Sequence, residues 1–382
     1  MHEFDLWATL FTIAGVFAVL MGTCAFLIYV ERKVAAWVQD RVGPNRVGPA
    51  GIFQSLADGL KFLFKEEIIP DHVDKPLYLL APCIAMAMAL LAFAVVPFGA
   101  TGDPSKPEFQ TSYQFVLAPG LDIGIVFLFA VTSLTVYAIL LAGWASNSKY
   151  SLFGGLRSSA QVISYEIPLG LSVVGVVLLS SSLNLETIIW KQAEHGVWNI
   201  VYQPLAFLIF ATSAFAETNR VPFDLPEAEQ ELVGGYHTEY SAMKFAMFFL
   251  GEYTSLVTSS FVMVVLFFGG WHLPWIAEGG AFWLIKLIVF AGKVTAIILF
   301  FMLIRWTLPR FRFDQLMGLA WRVLIPLAVV NLVCVMVVKE MGAAVLWLLP
   351  ISLALLVGSA WLGTVAGSEA PRPKDEALVL GP

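Results

Sequence analysis

Charge is scarce in this sequence: Asp, Glu, Lys and Arg make up 13% of 382 residues, against 59% hydrophobic and 14% aromatic residues. Soluble domains carry about 25% charged residues, so a water-soluble globule of this size cannot be covered from such a supply. Mean hydropathy is +0.80. Several apolar runs pass 18 residues without a charge, the length that spans a bilayer. Only helices or closed barrels satisfy their own backbone inside lipid, and runs this long read as helices. The expected fold class is an all-α integral membrane protein.

Metal-ligating side chains are equally sparse. The three cysteines, Cys24, Cys83 and Cys334, are scattered through apolar segments with no ligand spacing, which argues against iron–sulfur or zinc centres. None of the five histidines stands near the middle of a long apolar run, which argues against a membrane haem. If electrons are involved, this chain is not expected to carry them. A net charge of −6 lacks the basic face that nucleic acid demands. The acidic N-terminus, Met1 to Asp5, lacks the basic region of a signal peptide, so the first apolar run should stay as a helix.

Nine spans are expected, at about 9–30, 77–99, 119–143, 159–183, 199–216, 243–268, 281–304, 323–338 and 342–362. They form one transmembrane domain over 1–366, followed by a polar tail, 367–382. The odd-numbered loops and the tail hold 17 Lys and Arg; the even-numbered loops hold Lys106, Lys191 and Lys339. Lys286 and Lys293 fall within a span. By the positive-inside rule the N-terminus lies outside and the odd loops face the cytoplasm. No long repeat is visible.

The first odd loop turns at Gly43-Pro44-Asn45 and Gly48-Pro49, then becomes periodic. Ile52, Phe53, Leu56, Leu60, Leu63 and Phe64 fall within about 120° of one helical face, opposite Gln54, Asp58, Lys61 and Lys65. That is an amphipathic helix at the membrane surface. It is either a simple anchor or the threshold of a site for a lipid-like ligand, since Glu31, Arg32, Arg41 and Asp58 bring polar groups to an apolar boundary.

Acids inside apolar runs are the second signal. Gly154-Gly155 reads as a chain break, so a helix starting near Arg157 puts Glu166 roughly 13 Å along it. An ionised carboxyl facing lipid there costs ~2.5 kcal/mol or more, so Glu166 must face protein or water. Glu252, in the otherwise uncharged run after Lys244, repeats the argument. The densest feature spans the 23 residues from Glu217 to Glu239, with Glu217, Asp224, Glu227, Glu229, Glu231 and Glu239 against Arg220 alone. Helix capping accounts for Asp224 and Glu227. Crowded carboxyls raise one another's pKa and can exchange protons near neutrality, so with Glu166 and Glu252 these residues could form a proton path. The last odd loop interleaves Arg305, Arg310, Arg312 and Arg322 with aromatics. It marks the inside face and pairs with acids, docks a soluble partner, or closes the site over the first loop.

Taken together, ERK…QDRVGPNRVGP…ADGLKFLFKE, GWASNSKY…LRSSAQVISYEI, AETNRVPFDLPEAEQELVGGYHTEYS and PRFRFDQLM…W resemble the H-type membrane subunit family of respiratory complex I, the NADH–quinone oxidoreductase. The resemblance runs over roughly residues 9–340. It implies a bundle of eight core helices, with a ninth added here, that forms the quinone entrance and tunnel and starts the acidic chain linking quinone reduction to proton pumping. On that resemblance Glu31, Arg32, Arg41 and Asp58 belong to the quinone passage. Glu166, Glu217, Glu227, Glu229, Glu231, Glu239 and Glu252 form the proton and coupling chain, and Arg220 and Asp224 shape its loop. Quinone would be the substrate, with flavin and iron–sulfur clusters only in partner subunits. The implied partners are the peripheral-arm quinone-site subunits, antiporter-like membrane subunits and membrane lipid; the implied location is a bacterial cytoplasmic membrane. Glu66-Glu67 stands where the family often has a single acid, and no role follows for either. The membrane anchor of an energy-converting hydrogenase is the alternative, and a stand-alone ion-coupled transporter a third, though no inverted repeat supports it.

Overall fold

The computed structural model describes residues 6–102, 114–224, 233–278, 282–342 and 344–369, and all its regular elements are helices apart from an isolated bridge, Leu273 to Ala277. In chain order the main ones are α1 (Leu6–Val38), α2 (Gln54–Phe64), α3 (Lys75–Leu91), α4 (Gly124–Ser133), α5 (Thr135–Ala145), α6 (Lys149–Ser180) and α7 (Leu185–His195). There follow α8 (Pro204–Glu217), α9 (Ala242–Phe267), α10 (Trp283–Thr307), α11 (Phe313–Gly318), α12 (Ile325–Glu340) and α13 (Leu348–Glu369).

Seven helical segments among the described residues are long and apolar enough to cross a membrane, and Pro204–Glu217 and Val345–Trp361 are shorter apolar helices. The chain is a polytopic membrane bundle. The helices run alternately up and down. The segments 39–74, 146–148, 218–224, 233–241 and 308–312 therefore gather at one end, called here the basic end, while α7 and the 268–278 turn lie at the opposite end.

Three elements differ from expectation. Gly154-Gly155 does not break the chain: α6 starts at Lys149 and runs straight through the pair, so Glu166 sits near the middle of a 32-residue helix. The glycines serve packing. A Cβ on Gly155 would stand 3.2 Å from Ile139 O, one on Gly143 2.8 Å from Ser151 O, and one on Gly154 2.6 Å from Gly235 Cα. Small residues let backbones meet where lipid supplies no hydrophobic drive. Secondly, the third span is divided at Leu134 into α4 and α5. Thirdly, helix begins at Phe313 rather than 323 and reaches α12 through a π-helical stretch, Leu319–Leu324.

The core packs α6, α8, α9 and α10 together, with Phe215 stacked on Phe301 at 3.8 Å and Tyr165, Phe210, Phe267 and Phe290 buried. The lysines inside α10 are also accounted for. Lys293 Nζ donates to Phe268 O (2.7 Å), Gly270 O (3.0 Å) and His272 O (2.5 Å), carbonyls of the turn that follows α9. Lys286 Nζ lies 4.2 Å from the Trp271 ring centroid, a cation–π contact.

Candidate functional site

Adjacent residues on a helix point about 100° apart, and α1 uses that to send Glu31 and Arg32 to different neighbours. Arg32 reaches α2 and pairs with Asp58, which also receives Gln54 Nε2 at 3.4 Å and faces Lys61 Nζ at 3.7 Å. The intervening loop folds back tightly enough for this because Gly51 takes φ +82°, where a Cβ would stand 2.4 Å from Pro44 O. Tyr29 Oη fastens the turn by donating to Ala50 O at 2.9 Å. The apolar face of α2 (Leu56, Leu60, Leu63 and Phe64) stays exposed, as an amphipathic helix at a membrane boundary requires. Arg41 is exposed, and its side chain donates to Gln39.

Glu31 turns inward and is almost fully buried. Its carboxylate accepts from Arg220 Nη1 at 2.8 Å and from Tyr253 Oη at 2.5 Å, and it pairs with Arg305. The Arg220 guanidinium also lies over the Tyr253 ring at 4.1 Å. One carboxylate thus ties α1, the turn after α8, α9 and the end of α10 together. Burial of a charge is tolerable only with such partners.

The other acids lie on the neighbouring helices. Glu217 is the last residue of α8, not a loop residue, and it lines two adjoining cavities that also share Thr135 and Ser255. One extends among Thr132, Thr258 and Ser259; the other reaches Tyr236 and Glu252. Both have room for water. Glu252 accepts from Tyr236 Oη at 3.1 Å, and Glu166 accepts from Ser133, the residue before the break at Leu134. Glu239 lines neither cavity; its Oε2 stands 3.9 Å from His72 Nε2. Carboxyls separated by hydroxyls and by space for water are the parts a proton relay needs.

The turn carrying this cluster is held from two sides. Gln161 of α6 donates to Ala216 O at 2.8 Å and Phe223 O at 2.7 Å. From the last basic loop, Arg310 donates to Asp224 O and Phe311 N to Pro222 O at 3.2 Å. That loop therefore closes inward on the acidic turn and on Glu31. Glu227, Glu229 and Glu231 lie outside the described residues. The sequence singled out neither Tyr253 nor Gln161; a phenol beside Glu252 and an amide five residues before Glu166 were the available signals.

The sequence model of the NADH dehydrogenase family matches residues 11–336. The chain belongs to this family. Its relatives include the second of the NADH-quinone oxidoreductase H subunits of Koribacter versatilis, 49% identical over 341 residues, covering 86% of this chain and 95% of the relative. The NADH-quinone oxidoreductase H subunit of Leptospira biflexa is 50% identical over 323 residues, covering 82% and 90%. The first of the corresponding H subunits of Geobacter metallireducens is 48% identical over 328 residues, covering 86% and 95%. The family match takes in both the Glu31 cluster and the cavities around Glu217, and stops before α13.

Proposed function

We propose that the chain is the membrane subunit of a proton-translocating NADH–quinone oxidoreductase that forms the quinone passage and couples quinone reduction to proton movement. Quinone enters past α2, guided by Arg32, Arg41 and Asp58. Flavin and iron–sulfur clusters belong to partner subunits of the peripheral arm, and antiporter-like membrane subunits receive the coupling. The location is a bacterial cytoplasmic membrane with the basic end facing the cytoplasm.

The observation that carries this reading is the buried Glu31–Arg220 pair. Arg220 follows Glu217 by three residues, so the charge that holds the threshold also holds the turn bearing the acidic chain. A change of charge at the reduced quinone would be felt at Glu31 and passed through Arg220 to Glu217, and the water-sized cavities then carry protons between Glu252 and Glu217, with Glu166 next in the chain.

The test uses inverted vesicles from a strain lacking this chain and any second NADH dehydrogenase, complemented with wild type or Glu217→Gln. NADH-dependent quinone reduction and vesicle acidification are recorded together. The expected result is that wild type restores both, and that Glu217→Gln loses acidification per quinone reduced while the complex assembles. Normal acidification in an assembled variant removes Glu217 from the path. No loss of NADH–quinone activity in the null strain overturns the whole reading and favours the hydrogenase anchor.

A further inference from the structure

Lys244 is oddly placed. It lies in the first turn of α9, where the helix dipole repels a cation, and its side chain is only 6% exposed. Both terms disfavour a charge there unless a partner is supplied. The partner comes from a distant segment: Glu67 Oε1, half exposed just after α2, stands 2.6 Å from Lys244 Nζ. The chain from Glu67 into the first turn of α3 meets the 239–244 stretch repeatedly. Ile68 N donates to Ser241 Oγ at 3.3 Å, and Ser241 Oγ can return a bond to Ile68 O at 3.2 Å. Tyr78 Oη donates to Glu239 O at 2.7 Å, and the Tyr78 ring stacks on Tyr240 at 4.2 Å.

These contacts join two parts with separate duties. One is the segment directly behind the amphipathic α2. The other is the exit of the acidic loop and the start of α9, whose stiff helix carries Glu252 two turns farther on, about 12 Å along the axis. The Glu31–Arg220 pair binds the entry of that loop to α1; the Glu67 contact binds its exit to the segment after α2.

We propose that Glu67 and Lys244 are positioning residues forming a rigid strut between the quinone threshold and α9, so that displacement of α2 is delivered to Glu252. This rests on the function proposed above. The strut works by staying closed: the pair fixes the distance between the α2 segment and the first turn of α9, and removing its charge lets one move without the other.

The experiment uses the assembled enzyme in inverted vesicles, with complex content normalised by NADH oxidation through an artificial acceptor. Glu67→Gln, half exposed and isosteric, should keep quinone reduction near wild type while protons moved per quinone fall at least twofold. The charge-exchanged pair, Glu67→Lys with Lys244→Glu, should recover most of that ratio, whereas a merely structural defect would lower assembled complex and quinone reduction and leave the ratio unmoved. Ile68→Cys with Ser241→Cys, oxidised to a cross-link, should leave the ratio intact. A wild-type ratio in Glu67→Gln, no recovery in the exchanged pair, or collapse on cross-linking overturns the strut. Glu252→Gln is measured alongside: if it keeps full coupling, the proposed acidic path itself fails; if it uncouples while Glu67→Gln does not, only the strut fails.

Discussion

Arg220 and Glu31, 189 positions apart in sequence, meet at 2.8 Å in a setting where each side chain is at most 10% exposed. Glu31→Leu strands the buried Arg220 guanidinium and should destabilise the protein by on the order of 3 kcal/mol. Arg220→Met leaves Glu31 with Arg305 and Tyr253 and should cost less. The double variant should be more stable than the sum of the two losses predicts. Thermal inactivation of the membrane-bound enzyme measures all three, and strict additivity would show that the pair is not coupled.

Gly154 sets how closely the 234–241 stretch lies on α6. A methyl there would stand 2.6 Å from Gly235 Cα, a backbone atom with no rotamer to yield. Gly154→Ala should cost about 1–3 kcal/mol and loosen the Tyr236–Glu252 contact, whereas Gly170→Ala, with open space around its Cβ, should be neutral. Assembled complex content in membranes compares the two.

Arg41 is exposed in the loop between α1 and α2, where its side chain donates to Gln39, so its loss should leave assembly alone. Arg41→Ala should raise the apparent quinone KM roughly fivefold, equivalent to about 1 kcal/mol, with artificial-acceptor activity unchanged. Steady-state titration with a short-chain quinone checks it; an unchanged KM removes Arg41 from the passage.

Two buried groups outside the spans set opposite pH trends. His237 packs against Tyr236, Phe245 and Phe248, and burial pushes its pKa down to about 3. The unfolded chain binds a proton near pH 6.5 that the folded one refuses, so this contribution to stability is lost as pH falls from about 6.5 toward 3. Glu186 near the start of α7 behaves inversely. Burial raises its pKa to about 7 against the lowering by the Gly120 N–H, which donates to Oε2 at 3.1 Å. Its folded state keeps a proton that the unfolded state releases, so stability declines as pH rises from about 4.5 to 7. Glu186→Gln should flatten that upper limb and leave the acid limb, as read by melting temperature against pH.

Much of the site was legible because burying charge is expensive. Glu166 and Glu252 declared themselves by standing in apolar runs, and both accept hydrogen bonds from inward-facing hydroxyls. Asp58 and the amphipathic face of α2 followed from a 3.6-residue period, which is local. Gly154-Gly155 misled because glycine breaks helices in water, where bare backbone can bond solvent; in a membrane bundle the same absence of a side chain is used for contact. Glu217 read as a loop acid because the apolar run ends there, yet the helix carries it to its final turn and into the cavities.

Composition and periodicity by themselves determined the membrane class, the helical elements and which residues were too costly to face lipid, since those depend on transfer free energies and local backbone geometry. Pairing was decided only in three dimensions. That Glu31 binds Arg220 and Arg305, that Glu67 answers Lys244, and that Gln161 secures the turn below Glu217 are contacts between segments far apart in the chain. The order of residues carries no distance between such segments; helix packing supplies it.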